Sequence, residues 1–248
     1  MRDGKLNKTR SYLKIHGFDA ECRSYDIEEI HSRRTKVGQQ IRIVKLSNNA
    51  GKCLELNDDL MALQCNADFL HNQMVHLATS NLNVKRPNIA ILGGGDGGLL
   101  KFCLKINPRS VKLLELDQEV ITVCKKYLSH LSKGSFKDER VKIIIGDAFE
   151  NIKKLRKNSQ HIIFIDLVDS AVQKESQVFG SRSKQLFNQI KRCLKDDGVI
   201  VCQASPYQKE VLNSFKKYFK KSYGWTDNFD LDSANSFVYA IKLRKSIY

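Results

Sequence analysis

The stretch NIAILGGGDGGLLKFCLKINPRSVKLLELD, residues 88–117, decides the fold of this chain. An apolar run at 89–92 is followed by five glycines within 93–98, then by helically spaced apolar residues and a second apolar run. A strand, a tight turn, a helix and another strand in this order form a βαβ unit. The sequence therefore predicts two neighbouring parallel strands, with a glycine turn between the first strand and the helix.

The glycine turn and the end of the second strand point to a ligand. Glycines let a ligand approach the backbone where a Cβ would collide, and the amino terminus of the helix lies directly behind them. Glu115 stands about 20 residues further on, where an acidic residue binds ribose hydroxyls in nucleotide-binding units of this kind. We therefore predict a ligand that contains a nucleoside.

Composition narrows the class of protein. No apolar run in the 248 residues approaches the ~20 that a membrane span needs, and the opening MRDGKLNKTR lacks the apolar centre of a secretory signal. Seven cysteines without a C-x-x-C pair fit reduced thiols better than a disulfide framework or a zinc site. We expect a cytoplasmic protein with no metal site and no membrane partner.

The net charge of +15 is unusual for a chain of this length. A charge of this size attracts polyanions, nucleic acids among them. Lys and Arg are, however, spread along the chain rather than massed in one tract, which favours a solvated basic surface. Nucleic acid is therefore not the favoured partner.

The spacing of apolar residues predicts two domains. Residues 1–66 alternate polar with apolar side chains around turn signals, as short antiparallel strands do. Residues 67–248 alternate helical segments with continuous apolar runs, which are typical of buried parallel strands. The predicted strands are 25–30, 40–46, 53–56, 88–92, 111–116, 141–145, 161–165 and 199–203, with late segments near 218–223 and 237–243, and the predicted helices are 68–77, 99–106, 118–128, 148–156 and 184–194. The prediction is an α/β fold with a Rossmann-like, mostly parallel sheet and a small N-terminal antiparallel β domain.

Acidic residues follow each of the first four predicted parallel strands. They are Asp96, Glu115 with Asp117, Asp147, and Asp166 with Asp169. Ligands of such folds bind beyond the carboxyl ends of the strands, so these carboxylates should gather at one edge of the sheet. On a chain of net charge +15, an acidic edge is the most informative feature of the sequence.

Three kinds of ligand chemistry compete for this edge. The glycines at 93, 95 and 98 satisfy G-x-G-x-x-G, which allows a nicotinamide dehydrogenase, but the carboxylate of Asp96 would repel a pyrophosphate. A sulfonium nucleoside carries positive charge and no phosphate. Glu115 would then bind its ribose, and Asp147 would accept from the adenine amino group, although Asp147 is equally suited to cap the helix that follows. Methyltransferases and aminopropyltransferases share this arrangement.

The fourth strand end separates these two classes. Asp166 and Asp169 are suited to hold an ammonium group and to accept a proton from an attacking amine. A methyltransferase acting on a base more usually carries an N-P-P-Y-like motif here, and this chain has DLVD. The edge therefore favours a polycationic amine bound beside a sulfonium, with a methyltransferase acting on an anionic partner such as RNA as the alternative.

The motifs GGGDGG, LLELD, CKKYL, GDAFE and IDLVDS, in this order, resemble the spermidine/spermine synthase family. The resemblance is closest to its spermine synthase members, and SYDIEEI, QQIRI and GKCLEL are similar to the amino-terminal sheet of that family. It implies a Rossmann-like sheet of the class I methyltransferase type. It also implies an enzyme that moves an aminopropyl group from decarboxylated S-adenosylmethionine to putrescine or spermidine and releases methylthioadenosine.

The resemblance assigns roles to individual residues. Asp166 would be the general base; the donor would be bound by Gln39, Gly93, Gly95, Asp96, Glu115 and Asp147; and the amine by Asp169 and His71. It implies no cofactor other than the donor as co-substrate, a polyamine as the small-molecule partner, and a homodimer.

Some positions depart from the family pattern. Ser170 stands where the family has proline, the helix cluster reads His71-Asn72-Gln73 with one carboxylate fewer, and the segment 31–36 is basic where the family is acidic. These departures favour a third hypothesis, a non-catalytic homologue that keeps the fold as an interaction module.

Overall fold

The computed structural model describes residues 11–16, 22–46, 51–167, 182–204, 208–226 and 236–243. It divides the chain into two compact units, Met1–Cys65 and Asn66–Tyr248. The division into domains 1–66 and 67–248 stays a prediction about the folding of the chain.

The first unit is a five-stranded antiparallel sheet whose strands follow one another in chain order. The strands are β1 (Ser11–His16), β2 (Cys22–Arg34), β3 (Gln40–Leu46), β4 (Lys52–Leu56) and β5 (Asp59–Leu63). Residues Asn57 and Asp58, with φ of 53° and 68°, form the two-residue turn between β4 and β5. The sequence predicted this turn but not β5, because the run LMAL at 60–63 neither alternates with polar residues nor contains a β-branched or aromatic residue.

The second unit contains a seven-stranded, mostly parallel sheet. Its strands are β6 (Asn88–Gly93), β7 (Ser110–Glu115), β8 (Val141–Ile145), β9 (Gln160–Asp166), β10 (Leu194–Gln203), β11 (Lys221–Thr226) and β12 (Ser236–Ile241). They lie in the order β11-β12-β10-β9-β6-β7-β8, and only β12 runs antiparallel to its neighbours. This architecture confirms the predicted fold class.

Helices cover both faces of this sheet. They are α1 (Ala67–Ser80), α2 (Gly98–Lys105), α3 (Gln118–Tyr127), α4 (Ser129–Ser132), α5 (Ala148–Asn151), α6 (Ser183–Cys193) and α7 (Gln208–Tyr218), with 3₁₀ turns at Ser135–Lys137 and Ile152–Lys154. Ile91 and Phe164 face the core that α1, α2 and α3 cover, whereas Leu92 and Ile163 face the core under α5, α6 and α7. Successive strand residues point to opposite faces, so strands buried on both faces are apolar throughout.

Two elements in the last third of the chain differ from the prediction. Helix α7 was not predicted, although Val211 and Phe215 are buried four residues apart on one face. Strand β10 begins at Leu194 rather than 199, because it continues through an irregularity in register around Asp197, whose φ is 60°. The described helices include none that is long and apolar enough to cross a membrane.

Parallel register brings the carboxyl ends of four strands to one edge of the sheet. Gly93 at the end of β6 is the register partner of Asp166 at the end of β9, and Glu115 at the end of β7 is the partner of Ile145 on β8. The predicted acidic residues therefore follow adjacent strands at the same edge.

Candidate functional site

The glycine turn joins the ends of β6 and β9. Gly93 and Gly94 have φ of +83° and +76°, which L side chains rarely adopt, and the backbone N–H of Gly94 donates to the carbonyl oxygen of Asp166 at 3.1 Å. A Cβ on Gly93 would lie 2.0 Å from that same oxygen. Only glycine therefore allows the two strand ends to approach this closely.

Glu115 packs against the next glycine of the turn. A Cβ on Gly95 would lie 2.7 Å from Oε2 of Glu115, and Oε1 of Glu115 accepts from the backbone N–H of Asp117 at 2.9 Å. Glu115 is buried, and burial raises its pKa from 4.5 to about 7, while the hydrogen bond from Asp117 opposes this shift. The carboxyl thus binds a proton more tightly than an exposed glutamate does.

Asp96 is buried inside the turn and is fixed by two neighbours. Its Oδ1 accepts from the backbone N–H of Gly98 at 2.6 Å, and its Oδ2 lies 4.0 Å from Nε2 of His71. The imidazole of His71, which is itself buried, lies directly over Gly98, where a Cβ would come within 2.3 Å of Nδ1. Helix α1 therefore delivers His71 to the start of α2, beside Asp96.

Asp166, the last residue of β9, also packs against the glycine turn. A Cβ on Gly94 would lie 3.2 Å from Oδ2 of Asp166, so the side chain folds back over the turn. Burial raises the pKa of Asp166 from 3.8 to about 6; His71 lowers it, and the charge of Asp96 raises it further. Burial, His71 and Asp96 thus together set the proton affinity of Asp166.

The glycines make room for the protein's own groups in this structure. The space over Gly93, Gly95 and Gly98 is taken by the Asp166 carbonyl, the Glu115 carboxylate and the His71 ring. This differs from the sequence-based reason for the glycines, which was close approach of a ligand. That Gly93 and Gly95 bind the donor stays a prediction.

Asp147 lies after β8 and differs from the other three carboxylates. Its Oδ1 caps α5 by accepting from the backbone N–H of Phe149 at 2.8 Å, and its Oδ2 accepts from the guanidinium of Arg182 at 2.8 Å. The Arg182 guanidinium lies 4.1 Å from the centre of the Phe149 ring. The backbone N–H of Gly146 donates to the carbonyl of Glu115 at 2.8 Å, which joins this turn to the end of β7.

The structure brings most of the predicted site residues of the second unit together. The connected group is Gly93, Gly95, Asp96, Glu115, Asp166 and His71, with Asp147 one step away through Gly146. Gln39 belongs to the first unit, and its predicted role stays a prediction. Asp169 lies outside the described residues.

Two residues at this edge of the sheet were not predicted as site residues. Arg182 was not singled out, because nothing in the chain links it to a carboxylate 35 residues away. Asp117 was noted only as part of the acidic edge, yet it is buried, caps α3 through Oδ1, and leaves Oδ2 without a hydrogen-bond partner within the described structure. Its place two residues after Glu115, directly before a helical period, was the available signal.

Two thiols lie beneath the carboxylates. Burial raises the pKa of Cys103 and of Cys124, and the charges of Asp166 in the first case and of Asp96 and Glu115 in the second add to the effect. Both are therefore neutral packing groups. No set of three His, Cys, Asp or Glu side chains in the described ranges is grouped as metal ligands would be.

Comparison with known sequences gives one consistent result. Residues 67–227 match the family model for the spermine/spermidine synthase domain. A polyamine aminopropyltransferase of Prochlorococcus marinus (strain MIT 9312) is 30% identical over 201 residues, which cover 78% of this chain and 69% of that protein. Polyamine aminopropyltransferase 1 of Hyperthermus butylicus is 31% identical over 236 residues, which cover 87% of this chain and 76% of that protein.

Comparison with solved structures agrees on the fold. A crystal structure of spermidine synthase in complex with the transition state analogue AdoDATO superposes with a TM-score of 0.82. That match is 22% identical in sequence and covers 100% of this chain and 85% of the other.

Proposed function

The chain belongs to the spermine/spermidine synthase family, and we propose that it transfers an aminopropyl group from decarboxylated S-adenosylmethionine to an amine of putrescine or spermidine. Methylthioadenosine is the second product. The observation that carries this proposal is the group of three carboxylates around the glycine turn, Asp96, Glu115 and Asp166, on a chain of net charge +15. A sulfonium donor and an ammonium acceptor are the ligands that such a group attracts.

The donor needs neutralisation of its positive charges and recognition of its ribose. Glu115, at the end of β7, accepts hydrogen bonds from the ribose hydroxyls, and the positive charge of the donor favours its ionised form. Asp96, held by the N–H of Gly98, faces the aminopropyl ammonium. Asp147 contributes an oxygen for the adenine amino group once Arg182 releases it.

The acceptor must attack as a neutral amine, although alkyl amines are largely protonated at pH 7. The attacking nitrogen forms a bond to the carbon next to the sulfonium, the carbon–sulfur bond breaks, and its electron pair neutralises the sulfur. Asp166 accepts the proton that the nitrogen loses. Its pKa of about 6 makes it a stronger base than an ordinary aspartate while leaving it mostly ionised at neutral pH.

The experiment that tests this function is product analysis. Decarboxylated S-adenosylmethionine mixed with the protein and putrescine or spermidine should yield one methylthioadenosine for each aminopropylated amine. Product formed only from S-adenosylmethionine and RNA would establish the methyltransferase instead. No product from either donor, together with undetectable nucleoside binding, would establish the non-catalytic homologue.

We further propose that the reaction needs no metal or other cofactor, since a sulfonium releases a neutral thioether, which is a good leaving group without assistance. Activity should then survive dialysis against a chelator, and a loss that added metal restores would contradict this.

We propose a cytoplasmic homodimer formed through the N-terminal sheet, in which β5 is an edge strand. Sedimentation should give twice the chain mass of 28.4 kDa, and fractionation should recover the protein with the cytoplasm.

A further inference from the structure

A pocket of about 580 Å³ lies along α2, in the second unit and apart from the carboxylates. Its walls come from the start of α1, the second half of α2 and the segment 132–138. Four lysines line it from two sides. Lys101 and Lys105 are one helical turn apart on α2, and the ammonium of Lys105 lies 4.1 Å from the centre of the Phe102 ring. Lys133 lies before the 3₁₀ turn opposite, and Lys137 is its last residue. The volume is in the range of small-molecule sites.

The two acidic residues of this pocket are already neutralised. Asp138 accepts from the backbone N–H, Nε and one terminal nitrogen of Arg140 at 2.7–2.9 Å, and these bonds lower its pKa to about 2. Asp68 pairs with Lys101. Within the described part of the chain, no carboxylate forms an ion pair with Lys105, Lys133 or Lys137. The pocket therefore carries uncompensated positive charge.

Lys101 is unusual because it is buried. Its side chain is 8% exposed, whereas that of its partner Asp68 is 56% exposed. A buried ammonium is stable only with a negative partner, and Asp68 supplies it from the solvent side of the pocket. An anion inside the pocket would compete with Asp68 for Lys101.

From this arrangement we propose that the pocket binds an anion with two or more phosphate groups. Ammonium groups on opposite walls match a compact multivalent anion, because each phosphate contacts a different wall. The same charges repel polyamines, so the pocket is not an acceptor site. The proposal explains part of the net charge of +15, which an enzyme acting on cations does not need, and it stands independently of the proposed function.

The test is calorimetric titration with sodium tripolyphosphate at about 50 mM salt, where exposed charges are least screened. The pocket variant Lys105→Gln/Lys133→Gln/Lys137→Gln should weaken binding by about 10-fold or more. Lys105, Lys133 and Lys137 are all exposed. The matched control, Lys184→Gln/Lys191→Gln/Lys216→Gln, removes the same charge from equally exposed positions on α6 and α7. It should change binding by less than about 3-fold. Equal weakening in both variants, or no binding by the unmodified protein, would overturn the proposal.

A second variant tests the competition for Lys101. Asp68→Asn removes the charge that holds Lys101, so tripolyphosphate should bind about 3-fold more tightly. Unchanged or weaker binding would contradict the proposed site.

Titrations with ATP and with a short single-stranded RNA distinguish the two sources of phosphate. Sensitivity of either to the pocket variant supports the site, and insensitivity of both overturns it.

Discussion

The carboxylates at this edge of the sheet lie in two kinds of surroundings. Asp96, Glu115 and Asp166 form an inner group, and Asp147 is the outer carboxylate. Asp96, Glu115 and Asp166 are packed against glycines, and burial raises the pKa of Glu115 and Asp166. Asp147 has a side chain 36% exposed and is bound by Arg182. The parallel register of the strands thus determines where these carboxylates lie, whereas burial raises the proton affinity of Glu115 and Asp166. In the proposed function, proton transfer and charge recognition are therefore assigned to Asp96, Glu115 and Asp166, and Asp147 is assigned to the adenine.

The largest effect should follow from removing the proposed base. Asp166→Asn keeps the size of the side chain but cannot accept a proton, so turnover with decarboxylated S-adenosylmethionine and putrescine or spermidine should fall by ~10²–10⁴-fold. Methylthioadenosine release measures this, and an unchanged melting temperature shows that the variant is folded. Near-normal turnover with every amine would mean that Asp166 is not the base.

A smaller effect, on donor affinity, should follow from replacing Glu115, the proposed ribose ligand. Glu115→Gln loses hydrogen bonds to a charged acceptor and the attraction for the sulfonium, which should weaken donor binding by about 10–100-fold. Calorimetry measures the dissociation constant. The exposed Glu150→Gln, whose partner is Lys153 on the surface, serves as the control and should bind normally. Equal affinities of the two variants would remove Glu115 from the donor site.

The pH dependence of stability should reveal the buried state of Glu115. Its pKa is 4.5 when unfolded and about 7 when folded, so the folded protein binds the proton more tightly. Stability is therefore lost as pH rises from about 4.5 through about 7, by roughly 3 kcal/mol in total. Denaturant unfolding of the unliganded protein should show Glu115→Gln gaining stability relative to the unmodified chain between pH 5 and pH 8. A pH-independent difference would show that Glu115 is solvated.

The smallest effect is expected at the outer carboxylate. The Arg182–Asp147 pair is more than a third exposed on both sides and contributes little. Arg182→Gln releases Oδ2 of Asp147 for the adenine, so donor affinity should rise by up to about 3-fold. Arg156→Gln is the matched surface control. Markedly weaker donor binding in Arg182→Gln alone would mean that Arg182 is itself part of the adenine site.

The inner group was predictable from the sequence because parallel strands end at one edge. Glu115 and Asp166 end apolar runs, and Asp96 lies in the glycine turn that follows another, so the pattern placed them together without knowledge of side-chain packing. Their burial was not predictable, since it depends on which atoms fill the space over Gly93, Gly95 and Gly98.

Contacts between segments that are distant along the chain could not be predicted from the sequence. Arg182, which directly precedes α6, binds Asp147, which directly precedes α5, and the lysine pocket joins α2 to the segment 132–138. Neither contact leaves a local period or motif. Strand β5 was missed for a different reason, since its residues DLMAL neither alternate nor include a β-branched or aromatic side chain.

The proposed recognition of the donor's positive charge by buried carboxylates can be tested directly by binding. Calorimetry should compare decarboxylated S-adenosylmethionine with neutral methylthioadenosine, in the unmodified protein and in Asp96→Asn. We predict that the unmodified protein binds the charged donor more tightly, and that Asp96→Asn loses most of this preference while binding methylthioadenosine normally. Equal affinity for the two ligands in the unmodified protein would contradict the account.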